Sequence, residues 1–170
     1  MNRLSVEGFK LAPKVPVVVV LDNIRSAYNV GSVFRTADAF RLEGLRLCGV
    51  SACPPSPLIH KTALGAEEAV DWQYFETAVE AVEKLKDEGC LVCGLEITHN
   101  ALRLQDFRVD RDRRVAVVVG NEVHGISEEV LRLCDVCLEI PQRGTKHSLN
   151  VASAAAIAVW HLAQAQQSAE

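Results

Sequence analysis

The run Val15-Pro16-Val17-Val18-Val19-Val20-Leu21 is apolar at every position. A strand with one wet face alternates apolar and polar residues. A run apolar on both faces must be covered on both, which is the condition of a buried parallel strand. Val115-Ala116-Val117-Val118-Val119 repeats the pattern a hundred residues later. Related strands are predicted at Leu45–Val50, Asp71–Phe75, Leu91–Ile97, Arg114–Val119 and Val136–Ile140. Helical patterns separate them: Asn29–Ala39, a short turn around Lys61–Ala66, Thr77–Glu88 with Val79, Val82 and Leu85 on one face, Ser127–Leu133, and Ser148–Ala165. This alternation defines an α/β fold with a mostly parallel sheet flanked by helices.

A length of 170 residues with 49% hydrophobic content suits one domain with one buried core. Residues 1–14 read as a leader and residues 164–170 as a frayed tail. The Pro54-Pro55-Ser56-Pro57 stretch reads as an extended loop, since each proline removes a donor and restricts its predecessor. No apolar run approaches the roughly 20 residues that span a bilayer, and no signal-peptide region follows the first basic residue. The expectation is a cytoplasmic protein that makes no use of a membrane.

The formal net charge of −4 argues against nonspecific coating of nucleic acid. Local cations remain: Arg35, Arg41 and Arg46, then Arg143, Lys146 and His147. Arg41 and Arg46 read as ordinary solvated side chains. Six cysteines include the pairs Cys90/Cys93 and Cys134/Cys137, a spacing that suggests zinc. Cys90 and Cys93 lie in a predicted strand, where positions three apart face opposite ways. Cys134 and Cys137 lack the glycine turn of a zinc knuckle. Structural thiols are expected. The five histidines show no metal spacing, and no nucleophile elbow is present, so no metal is expected.

Three segments carry chemistry. In Asn29-Val30-Gly31-Ser32-Val33-Phe34-Arg35, Asn29 can cap the helix it begins and Gly31 permits close approach of backbone or ligand. Arg35, one and two-thirds turns on, offers a planar fork for phosphate. Gly120-Asn121-Glu122-Val123-His124-Gly125 follows a buried strand, where a ligand loop at the carboxyl edge of an α/β sheet belongs. Glu122 could accept from a ligand, orient the arginine or cap amides in its own turn. The segment is not a P-loop, since Ile126-Ser127 follows Gly125, and no Gly-x-Gly-x-x-Gly follows the first strand. The third segment, Ile140-Pro141-Gln142-Arg143-Gly144-Thr145-Lys146-His147-Ser148-Leu149-Asn150-Val151-Ala152, ends a strand in a polar glycine loop before an alanine-rich helix. That helix either packs tightly on its own sheet or meets a copy of itself across a two-fold axis.

In this order the segments resemble the three motifs of the SpoU-type RNA ribose methyltransferases of the SPOUT superfamily. Asn29-x-Gly31-x-x-x-Arg35 is similar to the first and Gly120-x-Glu122-x-x-Gly125 to the second. The third is matched by Ile140-Pro141-x-x-Gly144-x-x-x-Ser148-Leu149-Asn150-Val151, with Gln142 where methionine is frequent and Ala152 where serine is frequent. The resemblance implies a deep C-terminal trefoil knot, which rules of chain connection disfavour. It implies S-adenosylmethionine bound among Leu95, Gly120, Glu122, Gly125, Ile140, Ser148 and Leu149. It further implies a homodimer with its site at the subunit boundary, and transfer RNA or ribosomal RNA as substrate. Arg35 would then grip the target phosphate and hydroxyl, with Asn29, Glu122, Ser148 and Asn150 fixing the arginine and the ribose. Two other readings predict different outcomes. A noncatalytic RNA-binding or adaptor protein would keep the fold without transferring methyl groups, and an unrelated nucleotide-binding α/β domain would bind nicotinamide or ATP without a knot.

Overall fold

The computed structural model describes residues 4–167. Seven strands form one sheet among them: β1 (Val15–Asp22), β2 (Leu42–Cys48), β3 (Trp72–Phe75), β4 (Leu91–Leu95), β5 (Leu102–Arg103), β6 (Val115–Val119) and β7 (Val136–Glu139). Their order is β3-β2-β1-β6-β4-β7-β5, and every neighbouring pair is parallel. The two runs that opened the sequence argument, β1 and β6, lie side by side with Val17 opposite Val115. Their residues Val17 to Leu21 and Val115 to Val118 are all 0% exposed, which is why these runs hold no polar residue.

Helices cover both faces. On one lie α1 (Val6–Leu11), α2 (Ala27–Ala39), α3 (Pro57–Ala63), α4 (Ala66–Ala69) and α7 (Val151–Gln167), packed on Val17, Val19, Leu21, Val115 and Val117. On the other lie α5 (Ala78–Asp87) and α6 (Glu128–Leu133), packed on Val18, Val20, Ala116 and Val118. Each fully buried Val, Leu or Phe contributes about 1.5–3 kcal/mol, so two dry layers give the sheet the rigidity to hold loops at its carboxyl edge. Cys90 joins the α5 layer and Cys93 the α7 layer, so the pair does face opposite ways. Burial, with Cys134, Asp135 and Cys137 adding, pushes the Cys93 thiol up to about 12, which suits a packing role. No group of three or more His, Cys, Asp or Glu among the described residues is arranged to hold a metal ion. No helix there is long and apolar enough to cross a membrane.

Several expectations need correction. Part of the expected leader is the helix α1, capped by Ser5 and anchored by Phe9, which is 4% exposed; residues 1–3 lie outside the described residues. Pro57 ends the expected loop by opening α3, because Ser56 accepts from the Ile59 amide and proline needs no donor at a first helical position. The expected frayed tail is helical to Gln167, with residues 168–170 outside the described range. Gln166 is 8% exposed; its Oε1 accepts from the Asp112 amide at 2.7 Å and its Nε2 donates to the Arg113 carbonyl at 3.0 Å. The end of α7 is thus fastened to the segment that leads into β6.

The alanines of α7 take the first of the two roles open to them. Ala152, Ala155 and Ala158 are buried in the α7 layer of the chain's own core, while Ile157 and Trp160 remain 41% and 55% exposed. Gly31 serves a similar close approach. A Cβ there would lie 2.4 Å from the Ile59 carbonyl oxygen, so α2 and α3 pack backbone to backbone, and what comes close is a helix and not a ligand. Finally, β7 enters between β4 and β5 although both precede it in sequence. The chain after it returns to lay α7 on the layer that holds α2.

Candidate functional site

The loops leaving β4, β6 and β7 enclose a cavity of about 660 Å³. Leu95, Gly120, Glu122, Gly125, Ile140, Ser148, Leu149 and Asn150, all chosen from sequence, line it. Leu95, Ile126, Leu138 and Ile140 form apolar wall, and Glu96 and Glu122 bring carboxylates to it. The segment from Pro141 to Asn150 is exposed at every position.

The loop after β6 owes its shape to backbone geometry. Asn121 and Gly125 exchange two amide-to-carbonyl bonds of 2.9 Å, closing a tight turn. The Asn121 Oδ1 accepts from the amides of Val123 and His124, and its Nδ2 donates to the Asn23 carbonyl at 2.7 Å. Gly125 has φ 70°, and a Cβ there would stand 2.3 Å from Glu96 Oε2. A Cβ on Gly120 would stand 2.1 Å from both the Gly125 carbonyl carbon and the Ile126 amide nitrogen. The two glycines therefore let the turn fold back on itself and present backbone to the cavity.

Carboxylates hold the loops together by accepting from amides. Glu96 Oε2 accepts from Ile126 N at 3.1 Å, joining the β4 and β6 loops. Asp22, 2% exposed at the end of β1, accepts from the Ser127 amide at 3.0 Å. Glu122 accepts from the amides of Arg25 and Ser26 and from Asn29 Nδ2, at 3.2, 3.1 and 3.2 Å. Partial burial pushes its pKa up. Hydrogen bonds from its own amide, Ser26, Asn29 and Arg25 outweigh that and hold it below the ordinary carboxylate value. Glu122 thus accepts from its own amide, does not pair with Arg35, and grips the start of α2. Asn29 is not the cap of that helix, because Ser26 holds the place and accepts from the Asn29 amide.

Asn29, Glu122 and Asn150 form a chain across three segments. Asn150 Nδ2 donates to Asn29 Oδ1 at 3.1 Å, and Asn29 donates on to Glu122. The Asn150 Oδ1 also accepts from the amides of Ala152 and Ser153, so it caps α7, which begins at Val151 and not at Ser148.

Arg35 stands apart from this group. Six residues along α2 carry it about 9 Å down the axis and about 240° around from Asn29, and it does not line the cavity of its own chain. It is exposed and borders a separate notch of about 430 Å³ with Ser32, Thr36, Lys61 and Thr62. Sequence reasoning missed Asp22, Glu96 and Asn121. The available signal for the first two was a carboxylate at the carboxyl end of a buried strand.

An all-parallel sheet with three carboxyl-end loops around one cavity defines a ligand-binding α/β domain. Residues 16–160 match the family model described as the SpoU rRNA Methylase family. A protein of Staphylococcus aureus assigned to the TrmH family of tRNA/rRNA methyltransferases is 32% identical over 146 residues, 85% of this chain and 57% of its own length. The chain thus spans little more than half of the curated relatives it matches. Among solved structures, the SpoU methyltransferase AviRb from Streptomyces viridochromogenes superposes with TM-score 0.80 at 25% identity, over 92% of this chain and 62% of that one. AviRb has also been solved in complex with its cofactor AdoMet. A structure concerned with the 2-OH methylation of C/U34 on tRNA aligns with TM-score 0.76 at 26% identity, over 88% of this chain and 95% of that one. The chain belongs to the SpoU rRNA methylase family.

Proposed function

We propose that this chain is an S-adenosylmethionine-dependent methyltransferase that acts on a ribose 2′-hydroxyl of transfer RNA or ribosomal RNA. The observation that carries the reading is the convergence of all three family motifs on one framework: the second and third line the cavity, and Asn29 of the first is hydrogen-bonded to both. The residues present suit the cofactor. Apolar wall from Leu95, Ile126, Leu138 and Ile140 fits a flat base, the backbone bared by Gly120 and Gly125 offers close polar contact, and Glu96 and Glu122 favour a cationic ligand. Ser148 and Leu149 would complete the pocket. When bound, S-adenosylmethionine supplies an electrophilic methyl group on a positively charged sulfur.

The protein's part is to bring a ribose hydroxyl into line with that methyl and to manage one proton. Arg35 carries a guanidinium, which donates hydrogen bonds and accepts none. It therefore acts as a donor that clasps the target phosphate and hydroxyl, and a phosphate oxygen of the RNA takes the proton. Because Arg35 lies outside its own cavity, the complete site is composite: Arg35 of one protomer serves the cavity of its partner in a homodimer. The exposed Pro141–Asn150 segment and the exposed Ile157 and Trp160 support such an interface. We further read the passage of β7 between β4 and β5, followed by α7, as the threaded segment of a trefoil knot.

The deciding experiment maps 2′-O-methylation across total RNA from cells with and without the gene. The expected result is one or more sites lost with the gene, matched by S-adenosylmethionine binding in calorimetry. Binding without any lost site would favour the adaptor reading, and absence of both would overturn the proposal.

A further inference from the structure

We propose that the notch between α2 and α3 receives the RNA phosphate that Arg35 clasps, with Lys61 acting as a positioning residue beside it. The inference rests on the reading of the chain as an RNA methyltransferase, and it concerns a residue outside all three family motifs.

Arg35 from α2 and Lys61 from α3 border the same notch of about 430 Å³. Both are exposed, and neither makes a hydrogen bond or ion pair with any described residue. Some cations elsewhere are neutralised locally: Lys86 with Asp135, Arg114 with Glu43 and Glu88, and Arg132 with Glu128. Acidic side chains near the notch are already engaged or turned away. Glu67 is held by His60 and the Gly65 amide, and Asp38 does not border the notch.

The remaining lining is the hydroxyl side chains Ser32, Thr36 and Thr62 with the apolar Ala39 and Phe40. Thr62 and Thr36 direct their hydroxyls to backbone carbonyls, of Tyr28 at 2.9 Å and of Ser32 at 3.1 Å. The Ser32 hydroxyl has no such engagement among the described residues. Two positive charges held in one concavity repel each other, and an anion between them turns that repulsion into attraction. A phosphodiester supplies the charge, the acceptor oxygens and the size. In a chain of net charge −4 the pair is a local positive field that a whole-chain count conceals. The packing that makes the notch is fixed: Gly31 admits the α3 backbone against α2, and Thr62 ties α3 to the Tyr28 carbonyl.

The test compares wild type, Lys61→Ala and Lys61→Arg for binding of an unmodified transfer RNA pool and of unmodified ribosomal RNA over a series of salt concentrations. S-adenosylmethionine affinity serves as the control for folding. Removing one phosphate contact should lower the slope of log K against log salt by about 0.7 to 0.9 and weaken binding several-fold. Lys61→Arg should restore both, and cofactor affinity should be the same in all three proteins. In transfer assays, Lys61→Ala should raise the KM for RNA and leave kcat within about two-fold. If wild type binds and methylates RNA while Lys61→Ala keeps the full slope, the inference fails and the enzyme reading stands. If wild type neither binds nor methylates any RNA, both fail. Pyrophosphate titrated in place of RNA separates the sources: its binding at the notch, with no change in RNA slope on substitution, would assign the notch to a small anion and overturn the inference.

Discussion

The two ends of the sheet use charge in opposite ways. At the amino end, Arg114 donates from Nε to both oxygens of Glu43 at 2.9 and 2.8 Å and from Nη1 to Glu88 at 2.8 Å, which ties β2, β6 and the end of α5 into a closed ionic clasp. Hydrogen bonding from Arg114 lowers the pKa of Glu88, and the bonds to Glu43 raise that of Arg114. At the carboxyl end no carboxylate of the framework meets a cation. Asp22, Glu96 and Glu122 all accept from backbone amides. One end satisfies its charges internally and serves stability. The other uses its carboxylates to shape loops around the cavity.

Four substitutions can break this contrast, and they are ordered by expected effect. Arg35→Ala should lower methyl transfer about 100-fold or more, the usual effect of losing a preorganised donor, with melting temperature and cofactor affinity unchanged. Mixing it with a cavity-blocked variant should recover part of the activity if the site spans two protomers, and no recovery would place both halves in one chain. Gly120→Ala should destabilise the fold by about 2 kcal/mol in urea titration, because the new methyl meets backbone that cannot move aside, and should abolish cofactor binding. Arg114→Met should cost about 1–2 kcal/mol, reduced from a fully buried pair because its side chains are 26–37% exposed. Its cofactor affinity should stay at the wild-type value, and a changed affinity would show that the two ends are not independent.

The smallest effect concerns pH. The folded-state pKa of Glu122 lies below its unfolded value of about 4.3. Its contribution is therefore complete above that pH and is lost as pH falls through the lower folded value. Wild type should lose melting temperature over that acid range slightly more steeply than Glu122→Gln. Parallel curves would show that the carboxylate's charge adds nothing beyond its hydrogen bonds.

What was legible in the sequence follows from how local each signal is. The strands could be read because burial on both faces leaves an unbroken apolar run. β2 was placed late, at Leu45, because Glu43 and Gly44 interrupt its run although Leu42 is fully buried. Only the end of α3 was legible, as a turn around Lys61–Ala66; its start lies in the proline stretch, where Ser56 caps a helix that Pro57 opens. The cavity residues were legible as motifs, but their mutual contacts were not. Asn29 meets Glu122 and Asn150 across 93 and 121 residues, a separation closed only by a strand order that no local pattern encodes. Arg35 shows the limit of proximity in sequence: the helical turn sends it and Asn29 to different faces of α2, so six residues of separation do not by themselves place both at one pocket.

The grip of Glu122 on the start of α2 has a consequence for inhibitor design. With donors from Arg25, Ser26 and Asn29 at the entry to α2 held by one carboxylate of the β6 loop, helix and loop form a single frame, and filling the cavity leaves the outer surface of α2 where it stands. On the proposed function, a compound confined to the cavity would compete with the cofactor and leave RNA contacts on the outer surface of α2 in place. Blocking both would take a molecule that reaches past Asn150 and over the rim onto the helix.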